Sequence, residues 1–169
     1  MSHYIRILNT IKANVGSLPL TPSQTACRAC IVERLAYPGV VNLYGLQGVG
    51  KTMLGWAMNA EGQALYVAHP PKLWEFPPSR APIIFVDNCE PDRTSFRRLL
   101  GTLESAGVEK VVVVTHPPAD DYVFRSELTL THQDIEVVRQ SLKRLGHFIP
   151  GGDWANLWFG LLQSAREEP

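Results

Sequence analysis

Residues 45 to 52 read Gly45-Leu46-Gln47-Gly48-Val49-Gly50-Lys51-Thr52, a full match to G-x-x-x-x-G-K-[ST]. Glycines at these spacings let the backbone wrap closely around a phosphate, with successive N–H groups pointing inward. Lys51 supplies a cation for β- and γ-phosphates, and the Thr52 hydroxyl is placed to ligate Mg²⁺. A helix opening at such a loop adds the positive end of its dipole. The residues expected to contact the ligand are Gly45, Gln47, Gly48, Val49, Gly50, Lys51, Thr52 and Met53.

A second group of residues suits the same chemistry. Ile83-Ile84-Phe85-Val86-Asp87 is an apolar run ending in a carboxylate. A buried strand delivers its terminal side chain to the C-terminal edge of the sheet, where ligands of open α/β folds sit. Asp87 there would join Thr52 around Mg²⁺; the plainer alternative is a turn-capping aspartate. Thr115-His116 closes the run Val111 to Val114. If the two runs are neighbouring strands, Thr115 lies beside Asp87, within reach of a γ-phosphate or its attacking water; otherwise it is a polar strand end facing solvent.

These side chains need a scaffold, and the chain reads as one. Val40 to Tyr44, Ala64 to Ala68, Ile83 to Val86 and Val111 to Val114 are continuous apolar runs, as expected of strands covered on both faces. A fifth strand is expected near Val123 to Leu130. Thr21-Pro22-Ser23-Gln24 is a helix start, with a cap, a first-turn proline and a capping-box glutamine. Further helices are expected at Lys51 to Ala60, at Arg93 to Ala106, where Phe96, Leu99, Leu100 and Leu103 recur at helical spacing, at His132 to Leu145 behind a Thr131 cap, and at Trp154 to Arg166. The alternation implies an α/β fold with a doubly wound, mostly parallel sheet of about five strands. We read one domain over 1–169, with an N-terminal extension at 1–20, a nucleotide-binding core at 21–130 and C-terminal helices at 131–169. His69 to Arg80, rich in proline and carrying Trp74 and Phe76, is too long for a plain connector.

Together the phosphate loop, the acidic strand and the polar strand end resemble the P-loop NTPases with an added strand between loop and acidic strand. Within that division the chain resembles the AAA+ and STAND ATPases, and Gly45 to Leu54, GLQGVGKTML, is similar to the STAND loop. The resemblance implies a three-layer P-loop NTPase fold, ATP and Mg²⁺ as ligands, and roles for Lys51, Asp87 and Thr115 in catalysis. Only the loop is specific; the other matches rest on order and residue type. The chain also departs from the pattern. In AAA+ ATPases a glutamate that polarises the attacking water follows the acidic residue, and here Asn88 stands there. Asparagine can orient water but cannot accept its proton, which leaves Glu90 as the candidate base. The segment after Leu130 has room for two helices, and Lys143-Arg144 is its only basic pair, so a full arginine-bearing lid is not expected.

Other constellations carry less. Cys27 and Cys30 share a helix face, and with Cys89 the only other cysteine in the chain, core packing outweighs a metal or redox role. His116, His132 and His147 show no metal-ligand spacing. Arg93, Arg97 and Arg98 read as a solvated helix face before they read as an arginine finger. Trp154, Trp158 and Phe159 read as docking residues of the last helix.

Composition excludes several classes. Sixteen basic residues balance sixteen acidic ones, so bulk charge gives no argument for nucleic-acid binding, although a local patch is not excluded. No apolar run approaches the roughly 20 residues that cross a bilayer, and Met1 to Leu20 lacks a signal-peptide core, so a cytoplasmic protein without a membrane partner is expected. The leading reading is an ATP-binding protein acting as a slow ATPase or as a nucleotide-dependent assembly switch, with a protein partner or a second copy of itself. The alternative is a small-molecule kinase. Kinases of this size usually carry an acidic acceptor group after the second strand, where this chain has His69-Pro70-Pro71 and no carboxylate before Glu75. A GTPase is disfavoured, because no Asn-Lys-x-Asp segment exists. A pure interaction module that binds nucleotide for structure alone is the third reading.

Overall fold

The computed structural model describes residues 3–70, 83–119, 123–149 and 151–167. Five strands, β1 (Gly39–Tyr44), β2 (Leu65–Val67), β3 (Ile84–Val86), β4 (Lys110–Val114) and β5 (Phe124–Glu127), form one sheet. Their order is β2-β3-β4-β1-β5, and every pair in it is parallel. β4 therefore lies between the strand that feeds the phosphate loop and the strand that ends in Asp87, the inserted-strand arrangement expected from the sequence. The register sets Val41 opposite Val112 on one side and Phe124 on the other, and Phe85 opposite Val112.

Continuous apolar strands follow from cover on both faces. α2 (Pro22–Arg34) and α3 (Lys51–Ala60) pack with Leu43, Phe85, Val112 and Val114 on one face. α4 (Arg93–Ser105) packs Phe96, Leu99 and Leu103 on Val86, Val111 and Val113 of the other. The result is the three-layer α/β fold. α2 starts as its sequence dictates: Thr21 Oγ1 accepts the Gln24 N–H at 3.3 Å, Gln24 Oε1 accepts the Thr21 N–H at 3.0 Å, and Pro22 occupies the first turn. Asp92 caps α4 by accepting the Ser95 N–H at 2.9 Å.

β2, β3 and β5 are shorter than their apolar runs, whereas β1 and β4 each begin one residue earlier. Ala64, Ala68 and Ile83 lie outside them, and β5 is four residues rather than Val123 to Leu130. Among the described residues β5 pairs with β1 alone, and pairing ends where β1 turns into the glycine loop at Tyr44.

The N-terminal extension, residues 1–20, carries structure for which no element was assigned from the sequence: helix α1 (His3–Asn14) and a 3₁₀ turn at Val15–Ser17. Ile7, Ile11 and Val15 recur every four residues and are buried. Ile7 and Ile11 form a third apolar core with Val138 and Leu142 of α5 (His132–Arg144) and Leu157 and Leu161 of α6 (Leu157–Glu167). α6 begins three residues later than Trp154 because Asn156 caps it, accepting the Phe159 N–H at 2.7 Å. Trp154 packs instead against the bare backbone of Gly160, within 2.1 Å of where a Cβ would stand. Of the proline-rich stretch His69 to Arg80, only His69 and Pro70 fall within the described residues; Trp74, Glu75 and Phe76 fall outside them. Among the described residues no helix is long and apolar enough to cross a membrane.

Candidate functional site

β1 is buried at Val41 to Leu43, and the chain must leave the sheet after Tyr44 before entering α3. Gly45 makes that exit at φ 146°, with its N–H donating to the His116 carbonyl at 3.1 Å. A Cβ at Gly45 would stand 2.3 Å from the Leu128 carbonyl oxygen, so only glycine fits. Gly50, at φ 99°, precedes α3, and its carbonyl accepts the Gln24 side-chain amide at 3.0 Å. The glycine loop is thus anchored to the capping box of α2.

Lys51 opens α3 and is 7 % exposed. Its ammonium donates to the carbonyls of Gly45 at 2.6 Å and Leu46 at 2.9 Å. Both partners are neutral. Burial pulls the ammonium below the usual lysine range, and the more distant Asp87 carboxylate opposes that shift. A buried cation without a directly bonded anion is costly, and a phosphate in the loop would supply the missing charge.

Asp87 is 3 % exposed at the end of β3. Its Oδ2 accepts the Thr52 hydroxyl at 2.7 Å and the Tyr66 phenol at 2.8 Å, while Oδ1 accepts the Asn88 N–H at 2.8 Å. Thr52 and Asp87 are therefore side by side, and their hard oxygen donors suit Mg²⁺. Asn88 adopts a left-handed backbone, φ 53°, and its side-chain amide donates to the Ala68 carbonyl at 2.9 Å. Thr115 neighbours this group from the end of β4, but its hydroxyl is already engaged. It donates to the Pro117 carbonyl at 2.6 Å and accepts the Asn42 amide at 2.9 Å. Asn42, fully buried in β1, also donates to the Val113 carbonyl and accepts the Ala119 N–H.

These groups open onto a cleft of about 540 Å³. Gln47, Gly48, Gly50, Lys51, Thr52, Met53, Asp87, Glu90, Thr115 and His116 line it. Two expected contacts do not: Gly45 holds the loop from behind, and the Val49 side chain packs into the core under the sheet. The opposite wall is apolar, built from Tyr4, Leu8 and Ile11 of α1, Trp56 of α3, and Leu157, Trp158 and Leu161 of α6. α6 leans on the loop itself, since the Leu157 N–H donates to the Gly48 carbonyl at 2.9 Å. Among the described residues no arginine lines the cleft. Arg93 and Arg98 are exposed on α4, and Lys143 and Arg144 are exposed on α5. The Arg125 guanidinium donates to the Ala119 carbonyl.

The cysteines pack as expected. Cys27 contacts the Ser126 hydroxyl at 3.2 Å and burial pushes its thiol up; the buried Cys89 thiol is pushed up to about 12. Among the described residues no group of His, Cys, Asp or Glu could hold a metal ion by itself. Sequence reasoning missed Tyr66, the second role of Gln24, and the wall from α1 and α6. A phenol in the otherwise apolar run Ala64 to Ala68 was the one available signal.

No protein-family profile and no curated protein matches the chain. Solved structures do. The AMPPCP-bound DnaA from Aquifex aeolicus superposes with a TM-score of 0.52 at 12 % identity, covering 90 % of this chain and 62 % of that one. A DNA replication initiation factor (TM-score 0.49, 12 % identity) and a replication initiator DnaA bound to AMPPCP and single-stranded DNA (0.48, 13 %) each cover 77 % of this chain and 54 % of their own. This chain thus spans little more than half the length of those proteins. The likeness to the Aquifex structure is one of fold: a five-stranded parallel sheet in the order 2-3-4-1-5, as in AAA+ P-loop NTPase domains.

Proposed function

We propose that the chain binds Mg²⁺-ATP in this cleft and acts as a slow ATPase or a nucleotide-dependent assembly switch. The observation that carries the reading is Lys51, a buried ammonium that donates to the main-chain carbonyls of Gly45 and Leu46 at the open end of a glycine loop. Phosphates there would gain the loop N–H groups, the α3 dipole and a cation at little cost in reorganisation. Thr52 and Asp87 would hold Mg²⁺, which would neutralise phosphate charge. The apolar wall from α1 and α6 would take the base.

Slow turnover follows from the carboxylates. Asn88 is neutral, and its amide is spent on the Ala68 carbonyl. Glu90, on the cleft wall, is the remaining candidate base. An arginine from a partner protein or a second copy would complete the γ-phosphate side, as trans-acting fingers do in related sites. Charge gives no comparable support for a nucleic-acid partner. Among the described residues, no feature of the cleft favours the kinase alternative.

A single-turnover assay with ATP and GTP, with and without small-molecule acceptors, tests the reading. The expected result is slow, ATP-selective release of inorganic phosphate that Glu90→Gln abolishes while sparing binding. Phosphate transfer to an acceptor would replace this reading with a kinase.

A further inference from the structure

We propose that Tyr66 is a positioning residue for the metal carboxylate: its phenol orients Asp87, and Asp87 in turn orients Thr52 toward Mg²⁺. The inference rests on the nucleotide-binding reading above and adds to it a residue from β2.

The geometry is specific. The phenol and the Thr52 hydroxyl donate to the same oxygen, Asp87 Oδ2, at 2.8 and 2.7 Å. The Asn88 N–H takes one position on Oδ1. Two donors on one oxygen fix both the rotation of the carboxylate and the direction of the Thr52 proton. Thr52 then presents its lone pairs away from Asp87, which is what a cation ligand must do. With the phenol removed, Asp87 could rotate about its terminal torsion, which is broad and roughly two-fold.

The fold makes room for this contact at some expense. The ring lies between Trp56, 6.3 Å away, and Phe85, 6.0 Å away. α3 crosses directly above, and a Cβ at Gly55 would stand 2.7 Å from the Tyr66 ring and 2.6 Å from Phe85. Glycine within a helix costs roughly 1 kcal/mol relative to alanine, so a bare position there is kept for packing.

The test compares Tyr66→Phe, which keeps the ring, with Tyr66→Leu, which removes it. ATP affinity is measured by calorimetry in EDTA and across a Mg²⁺ titration, and Mn²⁺ bound with ATP is followed by electron paramagnetic resonance. Tyr66→Phe should leave affinity in EDTA unchanged and raise the Mg²⁺ concentration for half-maximal enhancement by roughly five- to tenfold. Its Mn²⁺ spectrum should broaden. If Tyr66→Phe matches wild type while Tyr66→Leu does not, the ring merely packs and the inference fails. Equal weakening with and without Mg²⁺ also overturns it. A wild-type chain whose ATP binding ignores Mg²⁺ would instead overturn the functional reading along with it.

Discussion

The two ends of the cleft are built differently. The loop end is lined by Gln47, Gly48 and Gly50 to Met53, from one short stretch of chain, and closed by the carboxylate of Asp87. It is polar, charged and held by hydrogen bonds between 2.6 and 3.1 Å. The helical end joins residues from both termini, Tyr4 to Ile11 and Leu157 to Leu161, in an apolar core. One end is fixed by local backbone conformation, and the other by tertiary packing of helices distant in sequence. Substitutions at the two ends should therefore fail in different ways: at the loop, ligand affinity falls with the fold intact, and at the helices, stability falls first.

The sharpest separation is expected from Ile7→Ala. Ile7 is fully buried between α1 and its neighbours, and its loss should destabilise the chain by about 3 kcal/mol in denaturant titrations. Below its melting temperature the variant should still bind tripolyphosphate as wild type does while binding ATP more weakly. Equal losses for both ligands would break the distinction between the ends.

A somewhat smaller effect tests the joint between them. Asp134, fully buried at the start of α5, accepts the Ser23 N–H at 2.9 Å, the Ser23 hydroxyl at 2.7 Å and the Thr131 hydroxyl at 2.6 Å. Burial alone would raise its pKa, but these hydrogen bonds more than offset that and bring it to about 2. Its folded pKa lies below the unfolded value of roughly 3.9, so its contribution is present above about pH 4 and lost as pH falls toward 2. Asp134→Asn should cost about 2 kcal/mol at pH 7, and the gap from wild type should close near pH 2. A gap that persists at pH 2 would show that shape, not charge, fastens α5 to α2.

The smallest effect is expected at Gln24, whose amide donates to the Gly50 carbonyl at 3.0 Å. Gln24→Ala removes one hydrogen bond from the loop and should lower ATP affinity by about fivefold, or roughly 1 kcal/mol. Unchanged affinity in calorimetry would mean that the glycine backbone holds its shape unaided.

The same division explains what could be read in advance. The turn at Gly45 to Thr52 was legible because glycines at Gly45, Gly48 and Gly50 mark positive-φ backbone leading into a helix. The strand positions were legible because Val111 to Val114 must be apolar on both faces, and the caps Thr21 and Thr131 because capping is local. The period of Ile7, Ile11 and Val15 was present in the sequence, yet its partner α6 lies at the other end of the chain. Thr115 does follow the strand next to that of Asp87, but the commitment of its hydroxyl to Pro117 and Asn42 depends on a loop conformation that residue types do not fix. Tyr66 reaches Asp87 only because Gly55 lets α3 and the sheet come close, a tertiary fact with a faint trace in sequence.

The central claim is that the buried Lys51 ammonium awaits a phosphate. Calorimetric titration of wild type and Lys51→Ala with Mg²⁺-ATP tests it most directly, with thermal melting to show that both are folded. The account predicts binding by wild type and a loss of roughly 100-fold or more in the variant, since a desolvated charge pair is removed. The variant's melting temperature should be no lower than that of wild type. Equal affinities in two folded proteins would contradict the assigned site.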